Sequence, residues 1–411
     1  MKKSTSGLLD DLLRAYFDTR RHKRNTRSQL EFEFDFEHNL IELCRRIESR
    51  SYRPAPAICF ITEEPVKREI FSSPFAHRVV CRLLYNYIAP LFDARMIHDS
   101  YSCRVGKGVF AGILRFERHL RSCTRNHTCC AYVLKLDLRG YFMSIDKRIL
   151  REMLARGLDR HWHKPSGDGR PWSERLDREL IDYLIDVILW RNPVADCTML
   201  GRASDWDGLP PSKSLFNAPE NVGLAIGDIT SQLFSNIFLD RFDQFVKREL
   251  GCRHYGRYVD DFYIVHPSRR YLEEAIVQVQ RFLETELHLT LHPDKIVLQP
   301  CNYGVAFLGA YVKPYRRYPT KESVARFRRK VWALEAECRR CEPSYGRLLQ
   351  IRAVLNSYCG HFGHFRAYRM LQTQFTRSPL RRYFDFTAHY RKAVLKKEFV
   401  PEVMPFENGI C

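Results

Sequence analysis

Apolar residues recur along the chain with two periods, one typical of helices and the other of strands. Phe36, Leu40 and Ile47 repeat at helical spacing, which predicts a helix from Phe36 to Ser49, although the preceding letters EFEFDFE alternate as a strand does. The same period predicts helices over residues 77–92, 146–156, 179–190, 228–250 and 271–287. Pro90 is expected to stop the first of these.

Runs of β-branched and aromatic residues predict strands between the helices. They lie within RPAPAICFITEE (53–64), AYVLKLD (131–137) and GRYVDDFYIV (256–265), and others flank NYGVAFLGAYV (302–312). Polar loops are predicted at 160–172 and 192–221, and Asp228 is the expected N-cap of the helix that follows. Interleaved elements of both kinds predict an α+β fold, with a basic arm over 1–28 and a basic helical region from 321 onward.

Two aspartates interrupt the strand pattern of GRYVDDFYIV. One interpretation is a tight turn, because Asp-Asp is common in turns and a two-residue hairpin connection is expected at this point. The other is that the turn presents the Asp260 and Asp261 carboxylates to metal ions. The dipeptide alone does not distinguish the two interpretations.

The charge balance points to an anionic partner. Lys and Arg number 67 against 48 Asp and Glu, a net charge of +19, which is typical of proteins that bind nucleic acid. The apolar run in the first twenty residues is too short and too charged for a signal peptide or a membrane span. We therefore expect a cytoplasmic protein that contacts no membrane and keeps its fourteen cysteines reduced.

Asp137 ends one predicted strand, and Asp260 lies at the tip of a predicted hairpin. Carboxylates on adjacent strand ends can bridge two Mg²⁺ ions, which bind oxygen ligands and substrate phosphates. Two such ions activate an attacking hydroxyl and hold a leaving pyrophosphate. Strand-terminal aspartates are common in α/β proteins, so the spacing alone is weak evidence.

Five motifs in order carry a family resemblance: KLDLRGYF, GLAIGDITSQ, RYVDDFYIV, LHPDKIV and VAFLG. Together they resemble the palm of a reverse transcriptase over roughly residues 50 to 370. The resemblance implies a right-hand polymerase fold that makes DNA on an RNA template. Its implied domains are an N-terminal basic arm and helix (1–50), fingers (51–130), a palm (131–315) with inserted loops (157–222), and a helical thumb with a C-terminal tail (316–411).

The resemblance assigns roles to the carboxylates. Asp137 and Asp260 match the metal-binding aspartates of the family, Asp261 lies beside them as a third catalytic residue, and Leu138 would offer its carbonyl to a metal. Two Mg²⁺ ions are implied, with Mn²⁺ as a possible substitute.

Several further positions match nucleotide-binding motifs of the family. Gly140 and Tyr141 would face the triphosphate with their backbone amides, and Phe142 occupies the steric-gate position that would exclude a ribose 2′-OH, unless it is a core aromatic. Lys67 and Arg68, with Arg78 behind them, would bind phosphates, unless they form a solvated basic strand edge.

Other matches extend to the leaving group and the nucleic acid. Lys295 would assist pyrophosphate departure, although a solvated lysine is an equal alternative. Arg104 and Lys107 would touch template phosphates, which positions the strand without reading its sequence. The remaining nucleic-acid contacts are implied at Tyr258 and at the primer-grip turn of Leu308 and Gly309.

The segment IGDITSQ (226–232) narrows the resemblance. Ile226, Gly227 and Gln232 occupy nucleotide-binding positions, and Ile-Gly with Ser-Gln is characteristic of reverse transcriptases from diversity-generating retroelements. Accurate relatives carry Gln at the position of Ile226. Isoleucine cannot hydrogen-bond the sugar, so lower fidelity is expected.

Two departures from that group keep the biological role open: Ala225, where Pro is usual, and Asp228, where Asn is usual. Antiphage-defence reverse transcriptases share much of the pattern and would copy an associated non-coding RNA. In either role the implied partners are template RNA, cDNA, dNTPs, and an accessory protein or second reverse transcriptase subunit.

Three alternatives remain at this stage. The same palm serves nucleases and RNA-templated RNA polymerases, although Phe142 argues against an RNA product. A non-catalytic nucleic-acid scaffold is disfavoured because the aspartates are intact. Finally, a zinc site or simple packing is possible for the Cys and His residues of the predicted thumb, namely Cys338, Cys341, Cys359, His361 and His364.

Overall fold

The computed structural model describes residues 5–21, 26–64, 66–387 and 389–401. Helices and strands are mixed, as the α+β expectation requires. The described residues form two compact units: the first lies within Met1–His119 and Tyr132–Leu298, and the second within Leu120–Ala131 and Gln299–Cys411.

The α-helices have the following bounds in chain order: α1 (Thr5–Arg20), α2 (Arg27–Phe34), α3 (Phe36–Glu48), α4 (Phe75–Asp93), α5 (Val109–Cys123), α6 (Lys147–His161), α7 (Trp172–Arg175), α8 (Arg178–Leu189), α9 (Ile229–Gln244), α10 (Arg269–Leu287), α11 (Lys321–Arg340), α12 (Tyr345–Phe362) and α13 (Tyr368–Thr376). The strands are β1 (Ile58–Thr62), β2 (Arg68–Ser72), β3 (Tyr132–Asp137), β4 (Thr198–Met199), β5 (His254–Tyr258), β6 (Asp261–His266), β7 (Val297–Pro300), β8 (Val305–Phe307), β9 (Ala310–Lys313), β10 (Arg316–Pro319), β11 (Phe384–Thr387) and β12 (Lys392–Leu395).

A four-stranded sheet in the order β5-β6-β3-β7 holds the two predicted aspartate strands side by side. β3 and β6 pair antiparallel along their whole length, from Tyr132 opposite His266 to Asp137 opposite Asp261. Leu134, Leu136 and Ile264 are buried because alternate residues of each strand point into the core. The strand predictions around the aspartates are confirmed.

The predicted basic arm over 1–28 is wrong for its described part, because Thr5–Arg20 forms helix α1. Leu8, Leu12 and Ala15 repeat at helical spacing and are buried in the main core. Charged residues between them hid this pattern in the sequence. Residues 22–25, within the basic run RRHKRNTR, lie outside the described residues.

Two predicted helix boundaries also differ. Pro90 lies inside α4, which ends three residues later at Asp93, because proline removes one hydrogen bond but leaves the final turn intact. Asp228 occupies the N-cap position of α9, yet its side chain makes no cap bond and instead accepts a hydrogen bond from Ser73 Oγ at 2.8 Å.

The second unit has its own core, formed by buried residues of α11, α12 and α13 such as Phe327, Ile351 and Phe375. A three-stranded sheet in the order β10-β9-β8 precedes these helices. The region beyond residue 321 is not wholly helical, since β11 and β12 form an antiparallel hairpin after α13. Across the described ranges, no helix combines the length and apolar composition that crossing a membrane requires.

Candidate active site

Three carboxylates lie at one end of the central sheet, although among the described residues their oxygens do not all come within 4.8 Å of one another. Asp137 is the last residue of β3, and its cross-strand partner Asp261 is the first residue of β6. Asp260 lies between β5 and β6 in a two-residue connection with Val259, whose φ of 57° is the positive value that such turns require. The turn interpretation and the carboxylate interpretation of GRYVDDFYIV therefore describe the same geometry.

Burial and nearby negative charge make two of these carboxylates, Asp260 and Asp261, harder to ionise. Burial, reinforced by the Asp137 charge, raises the pKa of Asp260, while Lys295 and Arg68 act in the opposite direction. Burial also raises the pKa of Asp261 to about 6, and only Lys135 offsets it among its charged neighbours. A further cation would therefore be bound favourably at this point.

Two lysines already neutralise part of the charge. Lys295 Nζ donates to Asp137 Oδ1 at 2.8 Å, and Lys135 Nζ lies 3.5 Å from Asp261 Oδ1. Lys135 was not among the residues predicted from the sequence. The signal was present, because Lys135 precedes Asp137 by two positions and alternate strand residues share a face.

A buried ion pair between Arg257 and Asp243 supports the β5–β6 hairpin. Arg257, 1% exposed, donates to Asp243 from Nε at 2.8 Å and from Nη2 at 2.6 Å. Its Nη1 donates to the carbonyl oxygen of Val259 at 3.0 Å, which fixes the turn that carries Asp260. In the sequence, the sign of this supporting role was limited to the presence of an arginine within a predicted strand.

The donor types suit divalent cations. Asp137, Asp260 and Asp261 offer oxygen ligands, which Mg²⁺ and Mn²⁺ prefer, and a bound cation would counter the raised pKa values of Asp260 and Asp261. The Leu138 side chain is buried and its backbone forms a bridge to Leu291. The metal contact of its carbonyl stays a prediction.

Residues 140–142, which are predicted to face the triphosphate, pack against the polar loop predicted at 192–221; this loop is called the long loop below. At Gly140, with φ 57°, an added Cβ would lie 2.3 Å from the Ser212 carbonyl oxygen, so only glycine fits there. The Tyr141 hydroxyl is buried and donates to the Ser235 carbonyl at 2.6 Å. Phe142 is half-buried with its ring centroid 5.5 Å from that of Tyr141.

The IGDITSQ segment meets the edge of β2. Ile226 is half-buried and packs on a small apolar cluster that Phe142 also contacts. Its carbonyl accepts from Phe71 N at 2.9 Å, and an added Cβ at Gly227 would lie 2.2 Å from the Phe71 carbonyl oxygen. Gln232 is exposed on the first turn of α9. The structure thus places Phe142 and Ile226 against one cluster.

The three predicted phosphate-binding cations have different surroundings. Arg68 is exposed and close enough to Asp260 to lower its pKa. Lys67 Nζ donates to the Asp207 carbonyl at 2.8 Å and is 3.1 Å from Glu63. Arg78 Nη2 donates to Ser72 Oγ at 2.6 Å. Of these three cations, only Arg68 is both exposed and close enough to affect the pKa of Asp260.

The predicted template contacts are partly engaged within the chain. The Arg104 side chain is 8% exposed and pairs with Asp93, and it also donates to three backbone carbonyls. Lys107 Nζ donates to the His98 carbonyl at 3.1 Å. Tyr258 is half-buried at the end of β5. Template binding by Arg104 would require these bonds to break, and it stays a prediction.

Glu69 organises the long loop, a role that the sequence did not reveal. It is fully buried on β2 and accepts from Trp206 Nε1 at 2.9 Å, Ser214 Oγ at 2.8 Å and Leu215 N at 2.7 Å. These bonds hold the loop that contacts Gly140. Glu69 and Phe71 are two residues apart on β2 and share its buried face, and this strand alternation was the available signal.

The remaining predicted residues belong to the second unit. Leu308, with φ 50°, and Gly309, with φ 79°, form the two-residue turn between β8 and β9. Among the described residues, the predicted zinc ligands Cys338, Cys341, Cys359, His361 and His364 do not supply three donors to one point. Cys359 is fully buried in the helical core, as the packing interpretation expects.

Comparison with known proteins gives distant similarities. No family model matches the chain. Among curated proteins, Protein YkfC of Escherichia coli (strain K12) is 24% identical over 295 residues, which are 64% of this chain and 68% of YkfC.

Similar solved structures include a telomerase from Candida albicans in complex with the TWJ fragment of telomeric RNA, at a TM-score of 0.48 and 12% identity, covering 80% of this chain and 57% of that one. Apo telomerase from Candida tropicalis has a TM-score of 0.46 and 12% identity, covering 78% and 60%. The chain spans less than two thirds of the length of these telomerase chains. Similarity at this level assigns the chain to no family.

Proposed function

We propose that the chain is a reverse transcriptase, which polymerises dNTPs into cDNA on a structured RNA template. The observation that supports this most strongly is the pairing of Asp137 with Asp261 across β3 and β6, with Asp260 in the adjoining turn. Carboxylates on neighbouring strand ends suit the binding of two divalent cations beside a polyphosphate.

The chain's own residues then have separate tasks. Asp137 and Asp260 would hold two Mg²⁺ or Mn²⁺ ions, which would supply activation of the primer hydroxyl and stabilisation of the pyrophosphate. The half-exposed Lys295 side chain lies 2.8 Å from Asp137 and would assist departure of the pyrophosphate. The exposed Arg68 would bind the same phosphates.

Selection of the sugar is assigned to Phe142, whose half-buried ring shares an apolar cluster with Ile226. A ring held there by packing would clash with a 2′-OH, and this clash is the proposed reason for a preference for dNTPs. In the proposed right-hand architecture, residues 51–130 form the fingers, 131–315 the palm and 316–411 the thumb. Lys107, Tyr258, Leu308 and Gly309 are the proposed contacts to template and primer.

An RNA-templated primer-extension assay tests the activity. We expect Mg²⁺-dependent incorporation of dNTPs into a product that resists ribonuclease and is degraded by deoxyribonuclease. Incorporation of rNTPs alone would indicate an RNA polymerase. Template cleavage without synthesis would indicate a nuclease, and RNA binding with neither reaction would indicate a scaffold.

We further propose that the enzyme serves a diversity-generating retroelement, because Ile226 replaces a side chain that can hydrogen-bond. The loss of one such bond is worth about 0.5–1.5 kcal/mol, or roughly three- to tenfold in discrimination. Ile226→Gln is therefore expected to lower misincorporation several-fold, most visibly opposite template adenine.

Sequencing cDNA made by both proteins on one adenine-rich RNA measures the effect, and Ile226→Val controls for altered packing in the shared cluster. Equal error spectra for wild type and Ile226→Gln would remove the reason for a mutagenic role. The antiphage-defence role, which the departures at Ala225 and Asp228 keep open, would then be the better assignment.

A further inference from the structure

A second group of metal-type donors lies outside the catalytic carboxylates. His77, Cys81 and Asp228 place one nitrogen, one sulfur and one oxygen within 4.8 Å of one another. Their exposed fractions are 2%, 0% and 8%. Neither the resemblance nor the proposed reaction assigns a role to this group.

Helix geometry explains why the three donors meet. His77 and Cys81 are four residues apart on α4, so they lie on the same face of the helix. Asp228 comes from the N-cap position of α9, where its side chain makes no cap bond, and α9 packs against α4. The donors therefore come from two elements that are distant in sequence.

The spacing is close to that of a tetrahedral zinc site. Cys81 Sγ lies 3.4 Å from His77 Nε2, and His77 Nε2 lies 3.9 Å from Asp228 Oδ2. Bonds of about 2.0–2.3 Å to one zinc ion separate its ligand atoms by roughly 3.3–3.6 Å. The Tyr52 hydroxyl lies 2.9 Å from His77 Nδ1, so it orients the ring with Nε2 facing the other two donors.

One oxygen of the group lacks a partner. Asp228 Oδ2 accepts from Ser73, but the buried Oδ1 has no hydrogen-bond partner, and a buried acceptor left unpaired is costly. A cavity of about 30 Å³ adjoins this carboxylate and is also lined by Ser73, His77 and Thr230. It has room for one water, the fourth ligand that three protein donors leave open.

The surrounding charges allow a divalent ion but do not require one. One thiolate, one carboxylate and one divalent cation sum to zero, and the Arg191 guanidinium that lines the same cavity adds one positive charge. A competing arrangement needs no metal. Arg191 donates to Ser73 Oγ at 3.0 Å, and Ser73 in turn donates to Asp228, so the positive charge of Arg191 compensates the carboxylate.

We propose that His77, Cys81 and Asp228 bind a structural zinc ion with one water as the fourth ligand. The ion would tie α4 to the start of α9, directly after Ile226 and Gly227. It would thereby fix the segment that borders the proposed nucleotide site. The zinc proposal rests on the three donors and does not depend on polymerase activity. The zinc site and the polymerase assignment can therefore be disproved separately.

Metal analysis of the purified full chain tests the proposal. Protein prepared without chelator and washed in excess Mg²⁺ is expected to retain about one zinc ion per chain. Cys81→Ser and Asp228→Asn should each weaken zinc binding at least tenfold, as loss of a ligand does. Cys44→Ser, which removes another buried helical cysteine, should retain the metal. Circular dichroism checks that each variant is folded.

Cobalt substitution gives a readout in the wild-type protein. Co²⁺ added to metal-free chain is expected to produce thiolate charge-transfer and tetrahedral visible bands, which Cys81→Ser removes and Cys44→Ser keeps. Zinc-free wild-type protein that shows no thiolate bands with Co²⁺ would overturn the proposal in favour of the Arg191 network. Equal bands in Cys81→Ser would also overturn it.

Discussion

At the residue scale, two of the proposed catalytic carboxylates occupy positions where burial disfavours their charge. Asp260 and Asp261 are partly withdrawn from water and face Asp137, and lysines neutralise only part of the charge. This arrangement is typical of functional sites, where pKa values are displaced by the demands of binding.

Asp261 gives a pH-dependent test of that cost. Its folded-state pKa, about 6, lies above the ordinary value of 3.8, so the folded chain holds a proton that the unfolded chain has released. The stabilising contribution is complete below about pH 4 and is lost as the pH rises through about 6. We expect Asp261→Asn to raise the unfolding free energy by about 1–3 kcal/mol at pH 7.5 in EDTA, and to give no gain near pH 4.

Thermal or urea unfolding at both pH values measures this difference. Asp10→Asn, which neutralises an exposed carboxylate on α1, is the control and should change little at either pH. A destabilised Asp261→Asn at pH 7.5 would show that the Lys135 ion pair outweighs the burial of the charge.

At the element scale, helices and strands with a long, uninterrupted apolar period could be predicted from the sequence. Elements whose apolar period is broken by charged residues could not. The strands carrying Asp137 and Asp260 were predictable because alternation and β-branched residues agree. Helix α1 was hidden by its charged residues, and the β11–β12 hairpin by a basic composition taken as helical. The aspartate cluster was predictable from motif order, whereas Glu69 and Arg257 act through contacts distant in sequence.

Glu69 shows how one element positions another. Its carboxylate accepts three hydrogen bonds from the loop whose Ser212 carbonyl packs against Gly140. Glu69→Gln replaces one acceptor oxygen with a donor amide facing those groups. We expect it to cost about 1–3 kcal/mol in stability and to raise the KM for dNTP more than it lowers kcat.

Urea unfolding and steady-state kinetics check both effects, with Glu64→Gln on the exposed loop nearby as the matched control. Unchanged kinetics in a destabilised Glu69→Gln protein would mean that the loop supports the fold without positioning the nucleotide.

At the scale of the whole molecule, a net charge of +19 suits a protein that binds a polyanion. Each phosphate neutralised adds about 0.7–0.9 to the slope of log K against log salt. We expect structured RNA to bind with a slope steeper than about −3, as several phosphate contacts require. Filter binding from low to high salt measures the slope. A salt-insensitive complex would contradict electrostatic binding to the RNA phosphates.

The central claim is that the carboxylates of β3 and the β5–β6 turn perform metal-dependent DNA synthesis. Full-length cDNA yield with Mg²⁺, dNTPs and an RNA template tests it most directly, comparing wild type, Asp260→Asn and the control Asp10→Asn. We expect Asp260→Asn to lose at least a hundredfold in yield while it keeps RNA binding and the wild-type fold, because a neutral amide is a poor metal ligand. Asp10→Asn should match wild type. Near-wild-type synthesis by Asp260→Asn would contradict the assignment.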